Sequence, residues 1–548
     1  MLKLNKLFNL KRTPQSAPIP GSDQVMNHAG GYAWALDPWQ QLDRFLVLGT
    51  EGGTFYASEQ TMTVEQAANV LDLLKTDGPR VVARIREISQ GVKAYKNDPA
   101  LFALALAFAQ EDAVTRAAAA AALPFIARTG THLFTFIEYV ESMRGWGRGL
   151  RRAVAGWYAS MAPETLAYQV TKYAQRNGWS HKDTLRLAHP KTTDRARNAL
   201  YAYIVGKATL PEGAVEAPWA YLQAVSAVAD PATSVEQVCE LIITHRLPRE
   251  VVPTALLQQP AVWEALLEQM PMTAMIRNLA TLTRVGVITP MNRWTKTVAE
   301  RLTDRERLRK ARIHPVQILA ALKTYAAGHG VRGQHTWTPV QQVVDALDAA
   351  FYLTFDNVEP TGKRLLLAVD VSGSMGAGNI GGVPGLAPRD AAAALALVTA
   401  ARETDYHIAG FTNGPYKSRW SGSGYGAGLT ALQISPRQRL DQVVQYMSAL
   451  PFGGTDCALP MVWALEQRVP VDAFVVLTDN ETWAGNIHPA QALTEYRQKM
   501  GIPARLIVVG MTATGFTIGD PQDAGTLNVV GFSPDMPGVM SDFIRGSV

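Results

Sequence analysis

Cysteine is scarce: the 548 residues hold only two, Cys239 and Cys457. Two thiols so far apart make neither a disulfide framework nor a cysteine-built metal site. A reducing, cytoplasmic compartment is the expectation that fits them. Long apolar runs are missing too. The longest, around Ala100 to Ala109, stops at Gln110-Glu111-Asp112, too short to cross a bilayer. The opening "MLKLNKLFNLKRTPQSAPIPGS" is basic and proline-punctuated and lacks the apolar stretch a secretory leader uses. The expectation is a chain with no membrane partner.

What is present is an ordinary globular composition, 47% hydrophobic and 18% charged, in a chain too long for one core. The net charge of +5 is unevenly spread. From Asp356 to Val548 there are 13 Lys+Arg against 17 Asp+Glu, which leaves 39 basic and 30 acidic residues for the front. A polyanionic partner would therefore bind the front.

From about Trp39 to about Ala350 the pattern is helical. "TVEQAANVLDLLKTD", "NDPALFALALAFAQED", "PATSVEQVCELIITHR", "TALLQQPAVWEALLEQM" and "HPVQILAALKTYAAG" space apolar residues for helices, with Pro and Gly between them. Many helices in succession without strands predict a helical array, though no fixed period is visible. After "DNVEPTGK" the texture changes. "RLLLAVD", "DYHIAGFT", "DAFVVLTD" and "ARLIVVGM" alternate with "PRDAAAALALVTAARE", "PRQRLDQVVQYMSAL", "ALPMVWALEQR" and "HPAQALTEYRQKM". Alternating β and α predicts a parallel sheet covered on both faces, with a boundary near Glu359-Pro360.

The first of those strands runs into "DVSGSMG", Asp370 to Gly376. A nucleophile elbow needs glycine two before and two after the serine, and Ser374 has Ser372 at the first place. A P-loop needs a lysine that is absent. Asp370, Ser372 and Ser374 on a strand-to-helix turn do supply hard oxygen ligands for a divalent cation, Mg²⁺ first and Mn²⁺ second. Thr455 in "PFGGTDCALP", on a glycine-rich loop before a helix, and Asp479 in "FVVLTDNETW", at the end of another apolar strand, can complete the cage. These segments resemble the von Willebrand factor A domain and its metal-ion-dependent adhesion site. That resemblance implies direct oxygens from Ser372, Ser374 and Thr455. Asp370 and Asp479 would bind directly or through water, with one position left for a partner's carboxylate.

The helical part is most informative from Tyr168 to Lys191, "YQVTKYAQRNGWSHKDTLRLAHPK". Lys172 and Arg176 are expected i, i+4 on one helix face, with Asn177-Gly178 ending that helix. Ser180 reads as an N-cap with Asp183 three residues on, which puts His181 and Lys182 in the next helix's first turn. Cations there oppose the helix dipole unless an anion is bound. Arg186, His189 and Lys191 extend the patch. Upstream, "SMRGWGRGLRRAVAGWY" adds Arg144, Arg148, Arg151 and Arg152 beside Trp146 and Trp157. Basic and aromatic residues together suit phosphates and unstacked bases.

"NHAGGYAWALDPWQQLDRFLVLGTEGGTFYASE", "GWGRGLRRAV", "YAQRNGWSHKDTLRLAHPK", "REVVPTALL", "VWEALLEQMPMTAMIRNL" and "RIHPVQILAALKTY" closely resemble the TROVE domain of the Ro 60-kDa autoantigen family. With the von Willebrand A domain behind, the resemblance covers nearly the whole chain, and its compact length is similar to the bacterial members. The implied fold is multidomain: an all-α HEAT-like helical-repeat ring over 22–358, after an extension over 1–21, then a doubly wound α/β von Willebrand A domain over 359–548. The resemblance implies a monomeric, non-enzymatic RNA scaffold. Y RNA would bind the outer surface, and the central hole would take single-stranded ends of misfolded or unprocessed RNAs. An exoribonuclease, polynucleotide phosphorylase above all, would be a partner. Lys172, Arg176, His181 and His189 fall in the motif tied to Y RNA. Two other readings stay open: a metal-dependent adhesion-type module with the helices as spacer, and a hydrolase using Asp370 and Asp479 around Mg²⁺. A phosphoryl-transfer cage usually wants more carboxylate than this one.

Overall fold

The computed structural model describes residues 12–22, 24–26, 32–35, 38–48, 67–90, 97–211, 213, 216–330, 335–376, 380, 383, 385–412, 428–450, 455–479, 482–511, 516–520, 523, 525–530 and 536–546. The expected cap of "TVEQ", most of the Asn27–Glu59 motif and the glycines of "PFGG" lie outside these residues.

The front is helical, as its periodicity predicts. Helices Ala68–Gln90, Asp98–Ala109, Ala113–Ile126, Gly130–Arg144 and Arg148–Ala159 follow one another. Each packs on its successor or the next but one: Ala68–Gln90 on Ala113–Ile126, Asp98–Ala109 on Gly130–Arg144, Ala113–Ile126 on Arg148–Ala159. Asp98–Ala109 is the innermost, with every residue from Pro99 to Phe108 buried, so its all-round apolar composition is what its position requires. No helix among the described residues is long and apolar enough to cross a membrane.

A recurrent device joins these helices. An arginine from a later element donates to the orphan carbonyls at an earlier helix end. Arg144 reaches the oxygens of Ala109 and Gln110, at 3.1 and 3.0 Å. Arg197 reaches those of Tyr158 and Ala159, at 3.0 and 3.1 Å. Arg301 reaches those of Leu267 and Glu268, at 2.6 and 3.1 Å. A planar fork suits two adjacent carbonyls, and its charge opposes the negative end of the helix dipole.

Eleven strands lie among the described residues. Their ranges are β1 Gln24–Met26, β2 Tyr32–Ala35, β3 Gln175–Arg176, β4 Trp179–Ser180, β5 Leu365–Asp370, β6 Tyr406–Phe411, β7 Leu429–Ala431, β8 Ala473–Thr478, β9 Arg505–Gly510, β10 Phe516–Thr517 and β11 Thr526–Val530. The main sheet runs β11-β9-β8-β5-β6-β7. It is parallel except for the antiparallel edge pair β6–β7, so the expectation of a wholly parallel sheet is corrected at that edge.

Both faces are covered, and alternate residues show it. Leu365, Leu367, Val369, Val475 and Leu477 face helices Pro388–Arg402 and Leu440–Ser448 in one core. Leu366, Ala368, Phe474 and Val476 face Leu459–Glu466 and Pro489–Met500 in another. The first of these cores continues into the helices from Val235 to Leu353. The compositional break near Glu359-Pro360 is therefore no gap in packing: Tyr352 accepts from the Leu440 N–H at 2.9 Å across it.

The chain's two ends also meet. β2 lies between β1 and β10 in an antiparallel three-stranded sheet, with Ala35 opposite Phe516 and Trp34 opposite Thr517.

Candidate functional site

The sheet's topology makes a crevice where β5 and β8 lie side by side. From β5 the chain moves to β6 on one side and later crosses to β8 on the other, so loops leave in opposite directions at the carboxyl ends. Asp370 ends β5, and Asp479 follows β8.

Asp370 is fully buried. Its carboxylate accepts from the Ser372 N–H at 2.8 Å and from Thr478 Oγ1 at 2.9 Å. Ser372 and Ser374 lie at the turn Gly373–Gly376, their hydroxyls 3.0 Å apart. Ser372 is buried and Ser374 exposed, so the pair reaches from interior to solvent. Thr455 and Asp479 are buried beside them, 4% and 5% exposed.

The loop after β8 is tied to the loop that carries Thr455. The Cys457 N–H donates to Thr482 at 3.2 Å, and the Thr482 hydroxyl lies 3.3 Å from the Thr455 carbonyl. Trp483 and Ala484 give that carbonyl two N–H bonds, each of 3.1 Å. Asp370, Ser372 and Ser374 thus share one turn, Asp479 lies near enough for its charge to act on Asp370, and Thr455 is tied to the loop that follows Asp479.

Burial, with the nearby Asp479 charge, pushes the Asp370 carboxyl up to about 7. Two carboxylates crowded in a dry site with hydroxyl donors suit a hard divalent cation, which relieves their repulsion. No group of three or more His, Cys, Asp or Glu gathers among the described residues, so an ion here would rely on hydroxyls. The donor set fits Mg²⁺ or Mn²⁺. Asp370, Asp479, Ser372, Ser374 and Thr455 would hold it.

Two supports have little or no signal in the sequence. Arg389, only 7% exposed, donates to the Ser372 carbonyl at 3.1 Å. Its one signal is a charge at the mouth of the apolar helix "PRDAAAALALV". Gln15, fully buried, donates to Asp456 Oδ1 at 2.7 Å, and nothing local in "TPQSA" marks it.

The basic front is rearranged relative to expectation. The helix Pro163–Lys172 ends at Lys172, capped by Tyr173, and Arg176 sits in the β3–β4 hairpin. Lys172 and Arg176 are therefore not i, i+4 partners on one helix. The hairpin forms because Asn177 and Gly178 take left-handed backbone angles, φ 52° and 78°, which those two residue types tolerate. Lys172 donates to the Tyr168 hydroxyl at 2.9 Å. Burial works against its charge, but the tyrosine bond and nearby Tyr173 and Glu250 hold its pKa above the usual value.

The helix His181–Ala188 starts where its cap predicts, with Ser180 accepting from the Asp183 N–H. Lys182 and Arg186 are exposed, and His189 is exposed in a left-handed cap, φ 46°. Lys191 is exposed as well. His181 is not. It is 3% exposed, 2.6 Å from the Tyr158 hydroxyl and against the rings of Phe134 and Trp157. Burial pushes its pKa down to about 3. The expectation that His181 meets RNA is corrected: a neutral, enclosed imidazole offers a phosphate nothing.

Arg148, Arg151 and Arg152 share the exposed face of Arg148–Ala159, while Leu150, Val154, Trp157 and Tyr158 fill its buried face. Trp157 is thus core, and the half-buried Trp146 stacks on Trp179 at 5.4 Å. The helix opens with three arginines, no acid in its first turn and no side-chain cap. Arg144, also exposed, already has its carbonyl partners.

The TROVE domain model matches residues 25–220 and 243–324, and the Ro60 vWA domain model matches 364–544. The chain belongs to the Ro60 family. Its sequence is 44% identical to the RNA-binding protein RO60 of Deinococcus radiodurans, over 100% of both chains. It is 34% identical to that of Caenorhabditis elegans, over 98% of this chain and 93% of the other. Among solved structures, the Ro (Rsr) protein of Deinococcus radiodurans matches with a TM-score of 0.75 and 45% identity, covering 93% of this chain and 100% of that one. The Ro60 architecture, helical TROVE region then a von Willebrand A domain with a mixed sheet, is that of this chain.

Proposed function

We propose that the protein is a cytoplasmic, monomeric RNA-binding scaffold and not a catalyst. Its helical part holds Y RNA on an outer basic surface. The pairing of β2 with β10 supports a closed ring, whose hole would take single-stranded ends of misfolded or unprocessed structured RNAs. An exoribonuclease such as polynucleotide phosphorylase then acts on those ends. The observation that carries this reading is the arginine face of Arg148–Ala159. Arg148, Arg151 and Arg152 have no ion-pair partner among the described residues, at a helix start that favours an anion. Arg144, Arg176, Lys182 and Arg186 lie on elements that adjoin it or each other, His189 caps the helix of Lys182 and Arg186, and the helix of Lys172 is tied to Gly130–Arg144 by Gln169 accepting from the Gly130 N–H. In the von Willebrand A domain, Asp370, Ser372, Ser374, Thr455 and Asp479 hold Mg²⁺ and leave a position for a partner's carboxylate.

The test is a mobility-shift titration with a structured stem–loop RNA over a range of salt. Arg148→Glu with Arg151→Glu should weaken binding about tenfold or more and flatten the salt slope by about 0.9 for each phosphate no longer neutralised. Lys172→Glu with Arg176→Glu should act alike. Unchanged affinity and slope would remove RNA from this surface.

A second reading, a metal-dependent protein-interaction module with the helices as spacer, is favoured by Trp483. Its main-chain N–H donates to the Thr455 carbonyl at 3.1 Å, and its side chain beside the cage is 44% exposed. Asp370→Ala discriminates: intact RNA binding with a protein partner lost would show that the two surfaces work separately.

A further inference from the structure

Residues 12–22 pack against the loops that carry the cage, and Gln15 sits on their seam. Its amide is fully employed: Nε2 donates to Asp456 Oδ1 at 2.7 Å and to the Ile487 carbonyl at 3.0 Å, and Oε1 accepts from Thr482. Its main chain is employed too, with its N–H on the Gly485 carbonyl and its carbonyl on the Tyr32 N–H, both 2.8 Å. A Cβ on Gly485 would lie 2.3 Å from both Asp456 Oδ1 and Gln15 Nε2, so only glycine allows that approach. Further along, the Ala17 carbonyl lies 2.8 Å from His488 Nε2, and the Thr13 N–H donates to Gln491.

Two of the side-chain partners of Gln15 lie close in sequence to cage residues: Asp456 follows Thr455, and Thr482 lies three residues beyond Asp479 with its hydroxyl 3.3 Å from the Thr455 carbonyl. A buried, satisfied amide between two loops fixes their separation, as outer-shell partners do at metal sites.

We infer that Gln15 is a positioning residue of the metal cage, so that divalent-ion binding and docking of the amino-terminal arm reinforce each other. The inference rests on the metal reading above. Thermodynamic reciprocity requires the coupling to run both ways. An ion held by Thr455 and Asp479 secures the arm, and the arm's Gln15 keeps both loops in reach of the ion.

The test is calorimetric titration of the full-length protein with Mn²⁺. Wild type binds, Asp370→Ala does not, and Gln15→Ala, folded in chelator by far-UV dichroism, binds about 10- to 100-fold more weakly. Wild-type affinity in Gln15→Ala, with Asp370→Ala silent, overturns the inference and leaves the cage standing. No binding by wild type, or equal binding by Asp370→Ala, overturns both. A second measurement needs no Gln15 variant: Mn²⁺ should slow tryptic cleavage after Arg12 in wild type and leave Asp370→Ala unaffected. Equal rates with and without Mn²⁺ in wild type overturn the coupling.

Discussion

At the scale of single residues, burial decides what a polar side chain can do. His181, His132 and His314 are all pushed down, to about 3, 4 and 4, chiefly by burial. Each is neutral in the fold, while in the unfolded chain it titrates near 6.5. Below that value the unfolded state takes up protons that the folded state refuses. Stability is thus complete above about pH 6.5 and falls as the medium is acidified toward the folded values. Each histidine contributes a slope of up to about 1.4 kcal/mol per pH unit. Urea titrations at pH 7.5 and 5.0 should show the midpoint falling, and His181→Gln should fall less steeply than wild type. Equal falls would show that His181 is protonated within the fold. The same burial separates His181 from Lys182 and Arg186, its neighbours on one helix. Sequence spacing places it correctly in the first turn and does not tell which way that turn faces.

At the scale of elements, the arginine-to-carbonyl links make a prediction that separates structural from binding arginines. Arg301 donates to two carbonyls at the end of Pro260–Glu268, the Leu267 oxygen part-buried and the Glu268 oxygen exposed. Arg301→Met should cost about 1.5–3 kcal/mol, the range for hydrogen bonds to a charged group. Arg151→Met, on an exposed face, should stay within about 0.5 kcal/mol. Denaturant unfolding of the two variants checks this; equal losses would mean that the carbonyl links contribute nothing net. Element type is largely legible in the sequence for a related reason. The runs "LLLAVD", "YHIAGF", "AFVVLT" and "RLIVVG" are buried along most of their length and are mainly apolar, with the polar residues at or near the ends of β5, β6, β8 and β9. β7, β10 and β11 lack that signature, lying at edges where alternation is short or absent. The β3–β4 hairpin is hidden because "TKYAQRNG" is compatible with helix. Its break after Lys172 is set by tertiary structure, including Asn177 donating to Glu138 from the preceding array.

At the scale of the molecule, the candidate cage residues are legible because they occur in a fixed order in three local signals, two at strand ends and one, Thr455, on a loop between helices. Gln15 is illegible because its side-chain partners lie more than 440 residues away, and no local pattern encodes such a pairing. That distance would give a bound ion a reach beyond its own domain. The core on one face of the sheet continues into the helices from Val235 to Leu353, and β2 joins the front of the chain to β10. An ion that binds only the folded state adds about 2.7 kcal/mol at a hundred times its Kd. With packing continuous across the domain boundary, that gain should be shared by the second helical core and not confined to the sheet. Thermal unfolding in saturating Mg²⁺ and in chelator, followed both by far-UV dichroism of the helices and by tryptophan fluorescence, should shift together by a few degrees. Asp370→Ala should unfold at the chelator midpoint under both conditions. A shift in one probe alone would mean that the ion stabilises its domain without reaching the helices, and no shift in wild type would remove the ion from the fold's energetics.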